Sequence, residues 1–454
     1  MGRVDKRIIA IFFIAIAIRL AFFVAFAWHE GTFNLTLGPQ DTAGFINDAE
    51  NLFSGHGFSD RSAPPFDPDG IRVPLVPVIL GLFGANFGLY IFFQILVASF
   101  SAVLVFLAGR EFFGAKAGFV AALLLAIDPL SAYHSIVILS ETWFTFLVLA
   151  SLYCLARFFR VTSGRVLEGW RWLVAGGIVC GLVTLTRPTG MVIAGVLALS
   201  LFLNFNLSFR RRLLWGMIFI LLAAAVVSPW LWRNHNRFGV TGLSYIPAYN
   251  WYYFNARVFY ARKLNIGNEQ AKSLFRSWEQ EEQKTNGEKN GFQMQPFYLQ
   301  KTWEVISPHL PQYLVFHGLN TAAVFLGSAF DDIQKGWTKS SNDVNLTSLL
   351  LQGPKGWLEV AKDYPQLLAM KAAGVLLYFF ILLNITFAAK SRRQVFWLAV
   401  LSALALALAL TTGAAAEPRF RVPVQPLVLL LFGFSWYQTM DYLKSKNQKA
   451  TMKL

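Results

Sequence analysis

Charge and cysteine are what this chain has least of. Only 14% of its 454 residues are charged and only 25 are acidic, so a carboxylate outside the apolar runs stands out. The two cysteines, Cys154 and Cys180, both fall inside apolar runs, which excludes a disulfide framework. No phosphate-cradling glycine loop, Gly-x-Ser-x-Gly elbow or dinucleotide fingerprint occurs, which takes support from ATP-driven transport and from serine hydrolysis. The six histidines show no metal-ligand spacing, and neither an internal repeat nor a low-complexity tract is present. What fills the chain instead is apolar: 55% of the residues are hydrophobic, more than a soluble domain of this size needs, so the solvent for most of it is lipid.

The net charge of +15 is not that of a nucleic-acid binder, because the basic residues cluster in short loops between apolar runs. The clusters are Arg3-Lys6-Arg7, Arg110-Lys116, Arg157 to Arg171, Arg210-Arg211-Arg212, Lys390-Arg392-Arg393 and Lys444 to Lys453. This is the positive-inside pattern, which orients spans and favours anionic headgroups. Ten apolar segments fit it: 8–27, 88–108, 117–134, 136–156, 172–186, 189–207, 213–232, 370–389, 394–413 and 422–441. The first is long enough to cross and reads as an uncleaved span. Two are interrupted, at Asp128-Pro129 and at Arg187-Pro188, and proline there predicts helix ends or kinks near the outer face.

The expectation is therefore an all-α polytopic membrane protein of about ten crossings (nine to thirteen), both termini cytoplasmic, with helical loops facing outward. It divides into an N-terminal module over 1–232 that includes a first outer loop at 28–73, an outer region over 233–369 with interfacial helices, and C-terminal spans over 370–454. Residues 311–330 read as an interfacial or partly buried helix rather than a crossing.

Four arginines break the charge rule. Arg72, Arg187, Arg419 and Arg421 sit in outward segments beside span ends, where topology gives them no reason to be. Guanidinium groups pair with phosphate or carboxylate, so several at one membrane face predict an anion site; the plainer alternative is snorkelling, or pairing with Glu417 or Glu141. Arg19, inside the first span, is costly unless paired or facing a cavity; pairing with an acid such as Asp128 is the favoured reading, and holding a lipid-linked ligand is the alternative.

Among the acids, Asp41 opens Asp41-Thr-Ala-Gly-Phe45-Ile-Asn-Asp48-Ala49 just beyond the first span, and Glu141 begins the span Ser140-Glu141-Thr-Trp143. A carboxylate at the membrane boundary suits general-base work. Asp48 is a candidate substrate contact or a solvated loop face. His56 and His134 lie near these acids and are candidate contacts as well. Asp67-Pro68-Asp69-Gly70 holds an Asp-x-Asp, which a metal site would use, but its residues also fit a type I turn, the favoured reading; no cofactor is expected, and a divalent metal is the less favoured alternative.

These segments in their order resemble the GT-C glycosyltransferases, a superfamily that includes lipid A aminoarabinose transferases, bacterial relatives of protein O-mannosyltransferases, and rhizobial lipopolysaccharide galacturonosyltransferases. The carriers are Asp41-x3-Phe45-x3-Ala49-x2-Leu52-x2-Gly55, Arg72-Val-Pro74-Leu-Val-Pro77, Gln94, Gly114, Leu139-Ser140-Glu141, Leu185-Thr186-Arg187-Pro188, Pro229-Trp230-Leu-Trp-Arg233-Asn234 and Glu417-Pro-Arg419-Phe420-Arg421-Val-Pro423. They leave roughly 255–365 unmatched.

The resemblance implies an inverting enzyme of the bacterial cytoplasmic membrane that takes a sugar from a polyprenyl monophosphate at the outer face. It implies Asp41 as base or close partner of the base, Glu141 as orienting or sharing acid, and Arg72, Arg187, Arg419 and Arg421 as contacts to the donor phosphate or sugar, with Arg233 a further contact. Phe45 and Phe420 stand where tyrosine is common. The expected partners are the bilayer, a polyprenyl-phosphate sugar, and a glycan, lipid or protein acceptor. A polymerase or ligase using a polyprenyl diphosphate, and a secondary transporter, are the competing readings.

Overall fold

The computed structural model describes residues 5–39, 41–162, 168–203, 208–326, 329–338, 358, 362, 374–383, 391–414 and 417–451. Among them every regular element is helical. Five helices are long and apolar enough to cross a membrane: α1 (Lys6–Glu30), α4 (Phe87–Phe113), α7 (Glu141–Thr162), α10 (Phe209–Phe238) and α18 (Arg392–Leu410). Between them lie α2 (Asp41–Phe53), α3 (Leu75–Gly81), α5 (Ala115–Ala126), α6 (Pro129–His134), α8 (Trp170–Thr186), α9 (Gly190–Phe202), α11 (Ile246–Asn250), α12 (Arg257–Leu264), α13 (Asn268–Asn286), α14 (Gln295–Ile306), α15 (Leu310–Phe325), α16 (Ala329–Thr338) and α17 (Gly374–Leu383). The chain's last described helix is α19 (Gln425–Thr451). The expected all-α polytopic architecture is what the molecule has. Of the expected span 370–389 only α17 falls within the described residues.

The largest core joins α1, α4, α5, α7 to α10, α18 and α19 through leucine, alanine and phenylalanine, with Leu152, Leu401 and Phe434 fully buried. Small residues set the closest approach. A Cβ on Gly109 of α4 would lie 2.6 Å from the Cα of Gly118 on α5, so that crossing needs glycine.

The interrupted segments break where proline predicts. Helix α5 stops at Ala126 after 12 residues, and Asp128 then caps α6 by accepting a bond from the Ser131 N–H at 2.8 Å. Segment 117–134 is thus two helices with a bend, and the next begins at Glu141 rather than at 136. Helix α8 ends at Thr186, with Arg187 extended ahead of Pro188.

Arg19 corrects its expected partnership. It is fully buried, and its guanidinium donates to the carbonyls of Ala15 and Ala126, both at 3.1 Å, and to the Ser131 hydroxyl at 2.9 Å. A further contact reaches the Leu125 carbonyl at 3.4 Å. The arginine therefore satisfies the open carbonyls at the end of α5, the negative pole of that helix, while Asp128 serves as the cap of α6.

At one end of the bundle α2, α3, the 54–74 loop and α11 to α16 gather. A separate aromatic core of Tyr252, Phe275, Tyr298 and Phe316 holds α11 to α15 together. Helix α15 packs along α18, leaving Leu314 and Val315 exposed. A single π-helical turn, Trp251–Ala256, presents Asn255, whose side-chain oxygen accepts the Ala414 N–H at 3.1 Å. Gly413 has φ 56°, and a Cβ there would fall on the Asn255 side chain.

Candidate active site

Asp41 is the first residue of α2, where the helix dipole favours an anion. Its side chain is 51% exposed, and Oδ2 accepts a 2.9 Å bond from Nη1 of Arg419. Arg419 lies in a short 3-10 turn, Pro418–Arg421, and also approaches Glu417 at 2.7 Å. Burial works against the charge of Arg419, but Glu417, Glu141 and Asp41 outweigh it and hold the guanidinium protonated beyond the ordinary arginine range.

Glu141 begins α7 and is almost wholly buried. Arg187 pairs with its Oε1 at 3.1 Å, and Oε2 is buried without a hydrogen-bond partner. Phe420 contacts both arginines, its ring centroid 5.4 Å from Arg187 and 5.1 Å from Arg419. Three acids, two arginines and one aromatic ring thus form a continuous group built from α2, α7, the end of α8 and the late turn. The pairing of arginine with Glu141 and Glu417 considered from the sequence is present, and it coexists with convergence. Arg421 donates to Gln425 at 2.8 Å, and its charge is felt by Asp128.

Arg72 stands beside this group in a cluster of its own. It lies 3.3 Å from Asp69, 3.4 Å from Asp60 and 3.8 Å from Asp48. Its guanidinium passes over the Phe45 ring at 5.4 Å, and a Cβ on Gly44 would fall on it. Burial opposes its charge, while Asp69, Asp48, Asp41 and Asp60 raise its pKa.

Asp48 is not on a solvated loop face: it is fully buried and neither carboxylate oxygen has a hydrogen-bond partner. Burial, with Asp69 close by, pushes its pKa up to about 10. At 3.8 Å the Arg72 contact is too long for a hydrogen bond and does not offset those two effects.

Asp67 and Asp69 diverge. Asp67 pairs with Arg61 at the surface, whereas Asp69 is buried and accepts the N–H of Ile71 at 2.6 Å and of Arg72 at 3.3 Å. The turn at this place is therefore an aspartate-capped one over 69–72 and not the type I turn over 67–70. Among the described residues no group of three or more His, Cys, Asp or Glu is placed to hold a metal ion.

His134 is buried, and its Nε2 meets Oδ2 of Asp332 on α16 at 2.9 Å. Its carbonyl accepts the Thr142 hydroxyl at 3.0 Å, which ties it to the start of α7 next to Glu141. Asp332 went unnoticed in the sequence, because its partner is 198 residues away and nothing local marks it. His56 and Arg233 lie elsewhere. His56 stacks on Phe66 at 4.1 Å, and Arg233 donates to the carbonyls of Asp69 at 2.8 Å and Phe58 at 3.2 Å.

The fold that carries this site is similar to that of an archaeal oligosaccharyltransferase. An apo structure of the Archaeoglobus fulgidus enzyme aligns with a TM-score of 0.55 at 14% identity, covering 98% of this chain and 52% of that one. The same archaeal enzyme in complex with an inhibitory peptide and a dolichol-phosphate aligns at 0.57 and 17% identity, with the same coverage of both chains. This chain therefore spans about half the length of those proteins. ArnT from Cupriavidus metallidurans bound to undecaprenyl phosphate aligns at 0.43 and 16% identity, over 93% of this chain and 76% of that one. By sequence, residues 75–232 match the family described as dolichyl-phosphate-mannose-protein mannosyltransferase. No protein of curated function matches the chain by sequence.

Proposed function

We propose that the protein is a membrane glycosyltransferase that moves a sugar from a polyprenyl monophosphate to an acceptor at the outer face of a bacterial cytoplasmic membrane, with inversion and with both termini in the cytoplasm. The observation that carries this is the half-exposed Asp41 carboxylate held at 2.9 Å by Arg419, beside the buried Glu141–Arg187 pair. A carboxylate that must take a proton has to be reachable, and one that only orients does not. Asp41 is the reachable one.

In the reaction so read, the acceptor hydroxyl oxygen forms the new bond to the anomeric carbon. The bond from that carbon to the phosphate oxygen breaks, and its electron pair leaves with the prenyl phosphate. The hydroxyl proton goes to Asp41. Arg419 and Arg187, both over the Phe420 ring, supply fixed positive charge for the departing phosphate, and Arg72 adds to the field near Asp41. Glu141 keeps Arg187 in place. The match of residues 75–232 to a prenyl-phosphate-mannose family supports the donor class.

The test is release of prenyl phosphate by purified protein from a panel of synthetic short-chain prenyl-phosphate sugars with candidate hydroxyl acceptors. Wild type should turn over at least one donor, and Asp41→Asn should lower the rate by about 10²–10⁴-fold. Turnover of diphosphate donors alone would replace this reading by a polymerase or ligase.

A further inference from the structure

A cavity of about 390 Å³ lies outside the group just described, walled by Phe58, Phe66 and Trp230 and edged by His56, Arg233 and Arg237. Its charge is one-sided. Arg233 and Arg237 are four residues apart on α10, the spacing at which like charges face each other and destabilise a helix unless an anion lies between them. Arg233 is fixed: it donates to Asp69, Asn234 and Phe58 and stacks 4.7 Å from Trp230. Those bonds use three of its five donors and leave two. Arg237 makes no hydrogen bond or ion pair with another described residue. His56 uses Nδ1 on Asn51 at 3.4 Å, so Nε2 is spare.

Position along α10 identifies the occupant. From Arg212 to Arg233 the helix rises about 32 Å, the thickness of a bilayer's hydrocarbon core, and Arg237 stands about 6 Å further on. Trp232, 70% exposed, sits at the same level, where aromatic side chains mark the membrane boundary. The two arginines are thus at headgroup height in the outer leaflet of the proposed topology, where the positive-inside rule gives them no role. Below them Val78, 37% exposed, continues the cavity's wall toward lipid.

We infer that this cavity is the acceptor subsite and takes the phosphate-bearing headgroup of a lipid-linked acceptor, gripped between Arg233 and Arg237 with His56 at its side. The assignment to the acceptor rests on the glycosyl-transfer reading above. Asp69 joins the two places: its backbone carbonyl takes Arg233 and its carboxylate takes Arg72.

The probe is dioleoyl phosphatidylglycerol, titrated onto detergent-purified full-length protein and counted by native mass spectrometry. Dioleoyl phosphatidylcholine and inorganic phosphate serve as the other arms. The anionic lipid should bind at least tenfold tighter than phosphatidylcholine, and Arg237→Ala, an exposed position whose loss leaves the fold intact, should remove that difference. Equal affinity for the two lipids, or a phosphatidylglycerol affinity unchanged in Arg237→Ala, overturns the proposal. So does inorganic phosphate that binds as tightly as the lipid, which would make the ligand a soluble anion. Donor cleavage is assayed in parallel. Arg237-dependent lipid binding without turnover of any donor would leave the anion site standing and sink the transferase reading together with the acceptor assignment. Turnover with Arg237-independent lipid binding would sink the subsite alone.

Discussion

Asp41 and Arg419 are 378 residues apart in sequence and meet in a 2.9 Å charge-assisted hydrogen bond. That bond closes the two ends of the chain around one carboxylate. Replacing Arg419 by alanine should lower prenyl-phosphate release by about 10²-fold, the usual effect of losing one fixed donor aimed at developing negative charge. Arg419→Lys should recover only part of the loss, because an ammonium keeps the charge but neither the planar fork nor the stacking on Phe420. Steady-state rates of the two variants check this; equal rates would remove Arg419 from the reaction.

Asp48 predicts a pH dependence of stability. Its carboxyl, pushed up to about 10 by burial and by Asp69, keeps its proton in the folded protein, whereas the unfolded group ionises near 3.8. The folded state thus binds the extra proton between those values, and this residue's contribution to stability falls as pH rises from about 4 toward 10. Asp69 and Asp60 reinforce the effect and Arg72 opposes it. Asp48→Asn should be nearly neutral at about pH 4 and progressively more stable than wild type toward pH 9, read as the melting temperature of each protein across that range. Parallel curves would show that Asp48 is ionised in the fold.

Arg72 makes the loop carboxylates a poor cation site. Its guanidinium already sits 3.3 to 3.8 Å from Asp69, Asp60 and Asp48, in the space a divalent ion would take. Turnover should therefore survive EDTA within about twofold, whereas a single lost metal contact in a metal-dependent enzyme costs several kcal/mol of transition-state stabilisation. Activity abolished by EDTA and restored by magnesium or manganese would place a metal in the reaction.

Arg19→Met should cost about 2–4 kcal/mol of stability, since it leaves the carbonyls at the end of α5 and the Ser131 hydroxyl without their charged donor. Thermal unfolding in detergent, compared with that of Arg7→Met at the exposed start of α1, measures it. A melting temperature equal to wild type would show that water fills the place of the guanidinium.

The helices were legible because apolar length, basic loops and proline breaks are local signals. Both expected breaks, at Asp128-Pro129 and Arg187-Pro188, fall at helix ends. The candidate site was legible as a list of residues and not as an arrangement. Arg419 with Asp41, and Arg187 with Glu141, are long-range pairs that only packing creates. The readings that failed did so because backbone groups and burial were left out of them. Arg19 satisfies backbone carbonyls instead of Asp128, and Asp69 caps the N–H groups of Ile71 and Arg72 in place of the expected type I turn over 67–70. Asp48, in a loop by hydropathy, is buried because α2 turns its inner face onto Arg72. The His134–Asp332 bond and the Asn255 contact to Ala414 carry no sequence signal at all.

The short α5 has a mechanical consequence for the lipid-linked donor proposed above. Twelve residues of helix rise about 18 Å, well short of a bilayer's core, and Arg19 on α1 meets the end of α5 about 18 Å above Arg7. Polar protein atoms thus reach down into the depth at which lipid tails would otherwise be packed. A phosphate tethered to a long isoprenoid can sink to meet them while its tail stays in the bilayer, and the protein is spared the work of lifting the chain into water.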